Sequence, residues 1–568
     1  MKKEKKELKK LLGLTLSASL LFGMAGCGSS NVSNQESSED KQQSVVQEQE
    51  TKVSTEETET VIEEITYPLD TDATISLWSN AFQLNSDYTE PSQSPFHSGL
   101  AENTGVDIDW RFPVTGADAT AAYNLLMADS ELPDIIFKSS WTINEAEALM
   151  DEGVIWDLTE YLPIYAPDYW AAINQPQYQD VLHAITTTDG KQFCVASFVE
   201  GDFNICYQGP MVRLDWLEEC GLDMPVTLED WEEMLTVFKE KYDARFAMAK
   251  TYLSSGSASG VLGLNSGTGA YSGFAANWFL DDGGKVQFAQ TQPEWKEYIT
   301  IMNRWWENDL IDKDSVTMST ADIRTKAANN LVSASFGAFS QITNWVKDAE
   351  KTGAVWSGVE YPRVAEGAPT CAINMAYDEW TAQWGAVITN NVKTEEDLIL
   401  ALKFLNYGFT EEGIKYYAYG TEGVSYTLNS EGEAEYTELL LNDPQGVTGA
   451  AKKYTGTMTR PISIQQTHAA KLKNSEVAVE AGYMWIENTV AAQHCIPATL
   501  AYTEEENLTY TNAYAAIKSY VDEMTLKFIT GDIDIETGFD SFVATLKEMN
   551  LDKCQEIQQA AYDRYISK

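Results

Sequence analysis

Strand patterns alternate with helix patterns along the chain, and this alternation limits the fold more than any other feature. Ala73–Trp78 has the β-branched and aromatic content of a strand, and Val106–Trp110 alternates apolar and polar residues. Between them lies a segment whose end, Asn103–Gly105, is typical of a helix stop. Ala117–Leu126 predicts a helix, and Leu132–Phe137 predicts a short buried strand. This order is typical of an α/β layer with a largely parallel sheet.

The chain is too long for one compact core. Its 568 residues predict two or three domains. Hydrophobic residues make up 44% and aromatic residues 11%, which is enough apolar surface for folded interiors. The 86 Asp and Glu residues exceed the 39 Lys and Arg residues, and the net charge of -47 repels phosphate backbones and anionic lipid headgroups. We therefore exclude nucleic acid as a partner.

Chemistry that depends on a metal or a cofactor has little support. The chain has four histidines: His97, His183, His468 and His494. No two of them lie within four residues of each other, so there is no HExxH zinc motif. The glycines at 267, 269 and 273 lack the spacing of a dinucleotide-binding loop, and Asp532–Glu536 lacks the glycine of a calcium loop and connects two helices. We expect no cofactor and assign no metal ligands.

The N-terminus has the sequence of an export signal. Six lysines within residues 2–10 precede the uncharged run Leu11–Gly26, which is too short to span a bilayer comfortably. The run ends in Met24–Cys27, which resembles a lipoprotein box, although Met24 stands where Leu is usual. We predict a lipoprotein signal peptide over residues 1–26 and lipidation of Cys27. The lipid alone would then anchor the protein to the membrane. The alternative is a free cysteine at an ordinary cleavage site.

Residues 27–66 are predicted to form an acidic, disordered stalk. From Gly28 to Thr66 there are ten acidic residues, two lysines and no aromatic residue, so this segment cannot form a core. An acidic interaction tail is the alternative. The body from Tyr67 onward keeps 31 basic and 74 acidic residues, a net charge of -43, so most of the acidity belongs to the folded part.

Helix caps and cysteine spacing add local predictions. Thr227 precedes Leu-Glu-Asp and an apolar stripe at helical spacing, and Thr394 precedes Glu-Glu-Asp and a similar stripe. Another amphipathic helix should stop at Gly531. Cys194 and Cys206 could pair across strands or remain buried free thiols, and the sequence leaves both readings open.

Several phrases, in order along nearly the whole body, resemble one family, the extracellular solute-binding proteins of ABC importers. The resemblance is to the large sugar-binding lipoproteins of Gram-positive bacteria, family 1. The phrases are Glu131–Phe137, Gly153–Leu158, Pro167–Tyr169, Asp189–Phe193, Arg213–Leu222, Pro225–Trp231, Phe409–Gly413, Tyr419–Tyr426, Lys527–Gly531 and Ala561–Tyr565.

This resemblance implies a type II periplasmic-binding-protein-like fold, with two α/β lobes, a ligand cleft between them and several hinge crossings. Mapping the phrases gives a first lobe of residues 67–199 plus 383–426 and a second lobe of residues 200–382 plus 427–568. Crossing segments are expected near Ser197–Asn204, Trp380–Gly385 and Val424–Thr427.

A sugar presents hydroxyl edges and flat C–H faces, so its site needs amide or carboxylate groups and aromatic rings. The candidate residues follow strands or lie in the expected crossings: Asn80, Trp141, Glu200, Asp202, Trp278, Asn344, Trp345, Asp378, Glu379, Trp380 and Trp384, with Tyr207 and Arg213 as further candidates. The alternatives without a role in ligand binding are a turn for Asn80, core packing for Trp141 and Trp384, a solvated hinge loop for Glu200 and Asp202, and structural pairing for Arg213.

The resemblance implies a monomeric, lipid-anchored receptor on the extracellular face of the cell membrane, which captures a carbohydrate and delivers it to the permease subunits of an ABC transporter. A binding protein for a non-sugar polar solute is one alternative. Another is a surface polysaccharide-degrading enzyme that uses Asp378 and Glu379. Adjacent strand residues point to opposite faces, which argues against a cooperating pair, so we expect no catalytic residues.

Overall fold

The chain divides into residues 1–59 and a body of residues 60–568 in a computed structural model. The structure describes residues 65–80, 87–113, 118–139, 141–201, 203, 207–250, 253, 264–270, 272–273, 277–349, 352–373, 384–456, 462–487, 489, 494–497 and 500–567. Cys27, the signal and the stalk up to residue 64 therefore lie outside it. Within these ranges, every helix is too short or too polar to cross a bilayer.

The strands are β1 (Thr74–Ser79), β2 (Asp107–Arg111), β3 (Ile135–Lys138), β4 (Val195–Ala196), β5 (Phe198–Val199), β6 (Gln208–Arg213), β7 (Arg245–Ala247), β8 (Ser272–Gly273), β9 (Trp278–Leu280), β10 (Val286–Phe288), β11 (Val332–Ala338), β12 (Trp356–Gly358), β13 (Ala372–Ile373), β14 (Gly385–Ile388), β15 (Tyr426–Leu428), β16 (Ala434–Tyr436) and β17 (Ile464–Gln465).

The α-helices are α1 (Pro95–Thr104), α2 (Ala119–Met127), α3 (Ile143–Asp151), α4 (Leu162–Tyr165), α5 (Pro167–Ile173), α6 (Gln179–Ala184), α7 (Leu214–Cys220), α8 (Leu228–Tyr242), α9 (Pro293–Glu307), α10 (Thr320–Ala328), α11 (Phe339–Ala349), α12 (Glu395–Asn406), α13 (Glu411–Tyr419), α14 (Glu438–Leu441), α15 (Gly446–Tyr454), α16 (Thr467–Leu472), α17 (Glu476–Glu487), α18 (Glu504–Thr530), α19 (Ile535–Glu548) and α20 (Leu551–Ile566). Short 3-10 turns cover Pro91–Gln93, Pro176–Tyr178, Leu264–Thr268, Ala289–Thr291, Lys313–Val316 and Tyr407–Phe409.

The first sheet has the strand order β2-β1-β3-β14-β4. β1 runs parallel to β2 and β3, as the strand and helix alternation predicts. β14 comes from far along the chain and pairs antiparallel with both β3 and β4. As a result β1, β3 and β4 end at the same edge of the sheet at which β14 begins.

The second sheet has the order β12-β6-β11-β7. β11 pairs antiparallel with β6, so that Ala338 lies opposite Gln208, and parallel with β7. β12 adds an antiparallel edge next to β6. The start of β6 and the ends of β7 and β11 therefore share one edge.

The predicted caps form as the sequence indicates. The Thr227 hydroxyl accepts from the Asp230 N–H, and the Asp230 carboxylate accepts from the Thr227 N–H, which fixes the start of α8. Thr394 caps α12 in the same position. Gly531 takes a left-handed backbone conformation after α18, and Asp534 then caps α19, so residues 532–536 connect two helices.

Each lobe has its own hydrophobic core. The first core is built from residues between Ile75 and Phe198 and between Ala386 and Tyr417, together with Ile462. The second core runs from Phe203 to Tyr361 and from Ala470 to Ala561. A third, smaller core joins residues of α13–α16 and β15–β16. The division into two lobes that the sequence predicts does not include this third core, and it places Ile462 in the second lobe. The boundaries of the lobes stay a prediction.

The close packing of α17 on the second sheet gives a stability test. A Cβ at Gly209 would lie 2.2 Å from the ring of Trp485, which is fully buried and donates its indole N–H to the Val359 carbonyl. We expect Gly209→Ala to lower the free energy of unfolding by about 1–3 kcal/mol, because the buried ring cannot move aside. Gly283→Ala on an exposed turn should change it by less than about 0.5 kcal/mol. Urea titrations of both variants measure the difference, and equal midpoints would contradict this reading.

Candidate functional site

A short crossing segment connects the two sheet edges described above. The chain leaves the first sheet at the end of β4, passes through the short strand β5 and enters the second sheet at Gln208. β5 also pairs in parallel with β17, and the Glu200 N–H donates to the Gln465 carbonyl at 2.9 Å. Because fewer than ten residues separate Val199 from Gln208, the two edges can be at most about 30 Å apart along this segment.

Two of the predicted residues lie at the first-lobe edge. Asn80 directly follows β1 and is half-buried, and its side-chain oxygen is buried with no hydrogen-bond partner. Trp384 directly precedes β14, is half-buried, and packs its ring 6.0 Å from that of Phe137. An unpartnered buried acceptor and a half-buried indole on the same sheet edge are groups that a hydroxylated ligand can bind.

Trp141 does not offer an open face, and the expectation that it is an exposed platform is wrong. Its side chain is 2% exposed and its indole N–H donates to the Gly385 carbonyl at 2.8 Å. The Lys138 ammonium lies 3.9 Å from the ring centre and 3.0 Å from a Glu145 carboxylate oxygen. Burial lowers the pKa of Lys138, while Glu145 acts in the opposite direction. The indole thus joins β14 to α3 within the first core.

The second-lobe edge carries an aromatic cluster made of Phe203, Tyr207, Phe339 and Tyr483. Phe203 packs against Phe339 at 5.1 Å and against Tyr483 at 5.2 Å, and Tyr207 packs against Phe339 at 6.3 Å. Tyr483 keeps 37% of its surface exposed, so part of its ring is open.

The Lys471 ammonium lies 4.8 Å from the Tyr483 ring centre. Sequence reasoning named Tyr207 but missed Phe339 and Tyr483. The available signal was weak, because both lie on helices whose apolar spacing indicates core.

Trp278 and Trp345 belong to the second core, which corrects two further expectations. Trp278 is 4% exposed and donates its indole N–H to the Tyr510 hydroxyl at 2.9 Å. Trp345 is 3% exposed and lies 4.5 Å from Trp356. Asn344, its neighbour on α11, is exposed.

Arg213 pairs structurally, because it is buried, binds Asp215 at 2.7 Å and covers the Trp216 ring at 3.9 Å. Glu200 is exposed in the crossing segment and its backbone is bonded to Gln465 and Thr467. Cys194 is a buried free thiol. Asp202, Cys206, Asp378, Glu379 and Trp380 lie outside the described residues.

A cavity of about 610 Å³ lies between α3 and the C-terminal helices. The first lobe supplies Ile143, Asn144, Glu147, Ala148, Asp151, His183 and Thr188, and the second supplies Ala501, Tyr502, Thr503, Glu504, Asn507, Ala561, Arg564 and Tyr565. Its volume is in the range of small-ligand sites. In the described part of the chain, no three His, Cys, Asp or Glu side chains are grouped so that they could hold a metal ion.

Residues 85–415 match the model of the bacterial extracellular solute-binding protein family. The chain belongs to this family. It is 24% identical over 482 residues to Lipoprotein LipO of Bacillus subtilis, with 80% of this chain and 86% of LipO covered. It is 22% identical over 447 residues to the polygalacturonan/rhamnogalacturonan-binding protein YtcQ of the same organism, with 78% and 82% covered.

The crystal structure of the alginate-binding protein AlgQ2 without calcium ion superposes with a TM-score of 0.71 at 18% identity, covering 88% of this chain and all of that one. The family resemblance and the two-lobed α/β fold predicted from the sequence are thus confirmed.

The different settings of Trp141 and Tyr483 predict different effects on stability. Trp141→Ala should lower the free energy of unfolding by about 3–5 kcal/mol, because it leaves a cavity in the first core and an unpaired Gly385 carbonyl. Tyr483→Ala removes a partly exposed ring and should lower it by less than about 1 kcal/mol. Thermal and urea denaturation of both proteins measure this, and a larger loss for Tyr483→Ala would show that its ring is part of the core.

Proposed function

We propose that this protein is the lipid-anchored, extracellular substrate-binding component of an ABC transporter and that it captures a carbohydrate, in particular an oligosaccharide, between its lobes. The observation that carries the proposal is the aromatic cluster at the second-lobe edge, which the crossing segment connects to the first-lobe edge that carries Asn80 and Trp384. Family membership supports the binding role, and the similarity to a polygalacturonan/rhamnogalacturonan-binding protein, YtcQ, and to an alginate-binding protein, AlgQ2, supports a carbohydrate ligand.

The chemistry of the two edges suits a neutral, hydroxyl-rich ligand. The open part of Tyr483 can stack on the C–H face of a sugar ring, since such faces are apolar and flat. Asn80 can accept a hydroxyl hydrogen with the oxygen that has no partner. Asp202, Asp378, Glu379 and Trp380 remain candidates of the same site, as hydroxyl acceptors and as a stacking surface.

Capture would use hinge motion at the crossing segments. The chain passes from Phe198, which belongs to the first core, to Phe203, which belongs to the second, so a change of backbone angles in this short crossing can move one lobe relative to the other. A ligand that touches both edges stabilises the closed form over the open one, and the permease then recognises the closed form. Delivery to permease subunits, a monomeric state, and anchoring through a lipid on Cys27 with residues 27–66 as a stalk belong to this proposal.

We assign no catalytic role. The family consists of binding proteins, and an enzyme that cleaves glycosidic bonds needs two carboxylates facing one bond. Incubation with oligosaccharides, followed by calorimetry and by an assay for reducing ends, separates the two functions. Saturable heat without new reducing ends is expected, whereas new ends that grow with time would establish an enzyme.

The ligand is first found by a thermal-shift screen over oligosaccharides of galacturonan, rhamnogalacturonan, alginate, fructan, starch and xylan, because a ligand that binds the folded state raises the melting temperature. With the best oligosaccharide, we expect Tyr483→Ala to weaken binding at least tenfold, or about 1.4 kcal/mol. Isothermal titration measures the change.

Tyr161→Ala is the matched control. Tyr161 packs against Trp156 at 6.4 Å, and the Trp156 N–H bonds to Ile388 at the far end of β14, so this ring lies away from the gap. Its removal should leave the affinity within twofold. Equal affinity of the Tyr483 variant and the folded wild type would remove the aromatic cluster from the site.

A further inference from the structure

The two lobes touch at a place that the crossing segments do not supply. Asn144, at the start of α3 in the first lobe, donates its side-chain N–H to the Tyr502 carbonyl at 2.5 Å. The Tyr502 N–H donates back to the Asn144 side-chain oxygen at 3.1 Å. The amide of Asn144 thus pairs with a second-lobe peptide as a neighbouring strand would, satisfying one donor and one acceptor.

A second contact lies at the other side of the cavity. The ring of His183 near the end of α6 stacks on Tyr565 of α20, with centres 4.6 Å apart and planes at 5°. The cavity of about 610 Å³ lies between the two contacts and is lined by both lobes. Both contacts therefore border the cavity, and each joins a residue of the first lobe to a residue of the second.

Both partners of the first contact are held rigidly before they meet. Tyr502 begins a ladder of stacked rings, 5.4 Å from Tyr510, which in turn lies 4.9 Å from Tyr514. Tyr514 accepts from Asn277 and Tyr510 accepts from Trp278, so the ladder is tied into the second lobe.

On the other side, Thr142 caps α3 and fixes the turn that carries Asn144. Little conformational freedom is lost when such prepared groups bind each other.

We propose that the reciprocal bond between Asn144 and Tyr502 is a latch that holds the lobes closed and thereby sets the affinity for the captured ligand; this rests on the proposed function. Asn144 is a positioning residue that acts on the equilibrium between open and closed forms. Since a ligand bound between the lobes sees only the closed fraction, its apparent dissociation constant rises as that fraction falls. The latch makes the closed form available before ligand arrives and slows its release.

The test compares Asn144→Ala with the wild type, both as the full chain. Loss of two hydrogen bonds should weaken binding of the best oligosaccharide about three- to tenfold, mainly through faster dissociation. The free variant should show a larger radius of gyration than the wild type by small-angle X-ray scattering. If Asn144 had only a structural role, its substitution would not enlarge the particle at an unchanged melting temperature. A larger radius of gyration together with an unchanged melting temperature therefore indicates a latch.

Asn174→Ala is the matched control, because the Asn174 side chain, at the C-cap of α5, donates to the Trp170 carbonyl within the first lobe. It should change neither the radius nor the dissociation rate. Asn144→Asp is the second variant. The aspartate side chain keeps the size and the acceptor of asparagine but loses the donor to the Tyr502 carbonyl. This variant should therefore favour the open form without leaving a cavity at the substituted side chain.

Unchanged scattering and unchanged dissociation rates in both Asn144 variants would overturn the latch. If the wild type bound no oligosaccharide of the panel, the proposed ligand class would fail, yet scattering of the free proteins would still decide whether Asn144 holds the lobes together. The two proposals therefore fail by different measurements.

Discussion

The molecule depends on the separation of its hydrophobic interior into independent cores. Each sheet is covered within its own lobe, so apolar burial stabilises the lobes individually and contributes little across the gap. What joins the lobes is the covalent crossing of the chain together with polar and stacked contacts such as Asn144 with Tyr502 and His183 with Tyr565. Such contacts are weak beside a core, which is why the gap can open and close while the lobes stay folded.

The same separation decides which aromatic residues are available to a ligand. Trp141, Trp278 and Trp345 are drawn into the cores, where each also finds a ring or hydrogen-bond partner. Tyr483 and Trp384 are only partly covered, and each is supported by a neighbouring ring, Phe203 for Tyr483 and Phe137 for Trp384. Rings that neighbouring side chains already hold in place lose little conformational entropy when they stack on a flat ligand.

The sequence predicts helix ends and strands correctly where they depend on interactions between neighbouring residues. The Thr227 and Thr394 caps, the Gly531 stop and the strands around Ile75, Ile108 and Ile136 depend on neighbouring residues only, and the structure has them within one to three residues of the predicted bounds. The role of tryptophans that follow strands was predicted wrongly, because a large ring next to a strand end can either pack into a core or remain exposed as a stacking surface for a ligand. The distinction requires knowing what packs above the ring, such as Gly385 above Trp141, 244 residues away.

The sequence by itself determined the alternating α/β architecture, the acidity of the body and membership of a binding-protein family, since periodicity, composition and ordered phrases are properties of the chain. Only the tertiary structure decided that Phe339 and Tyr483 join Tyr207 at the second-lobe edge, that Asn80 keeps an unpartnered oxygen at the first-lobe edge, and that Asn144 meets Tyr502 of the other lobe. The pairs Tyr207–Phe339 and Asn144–Tyr502 are 132 and 358 residues apart. No local propensity encodes them, because they exist only after distant segments have folded against each other.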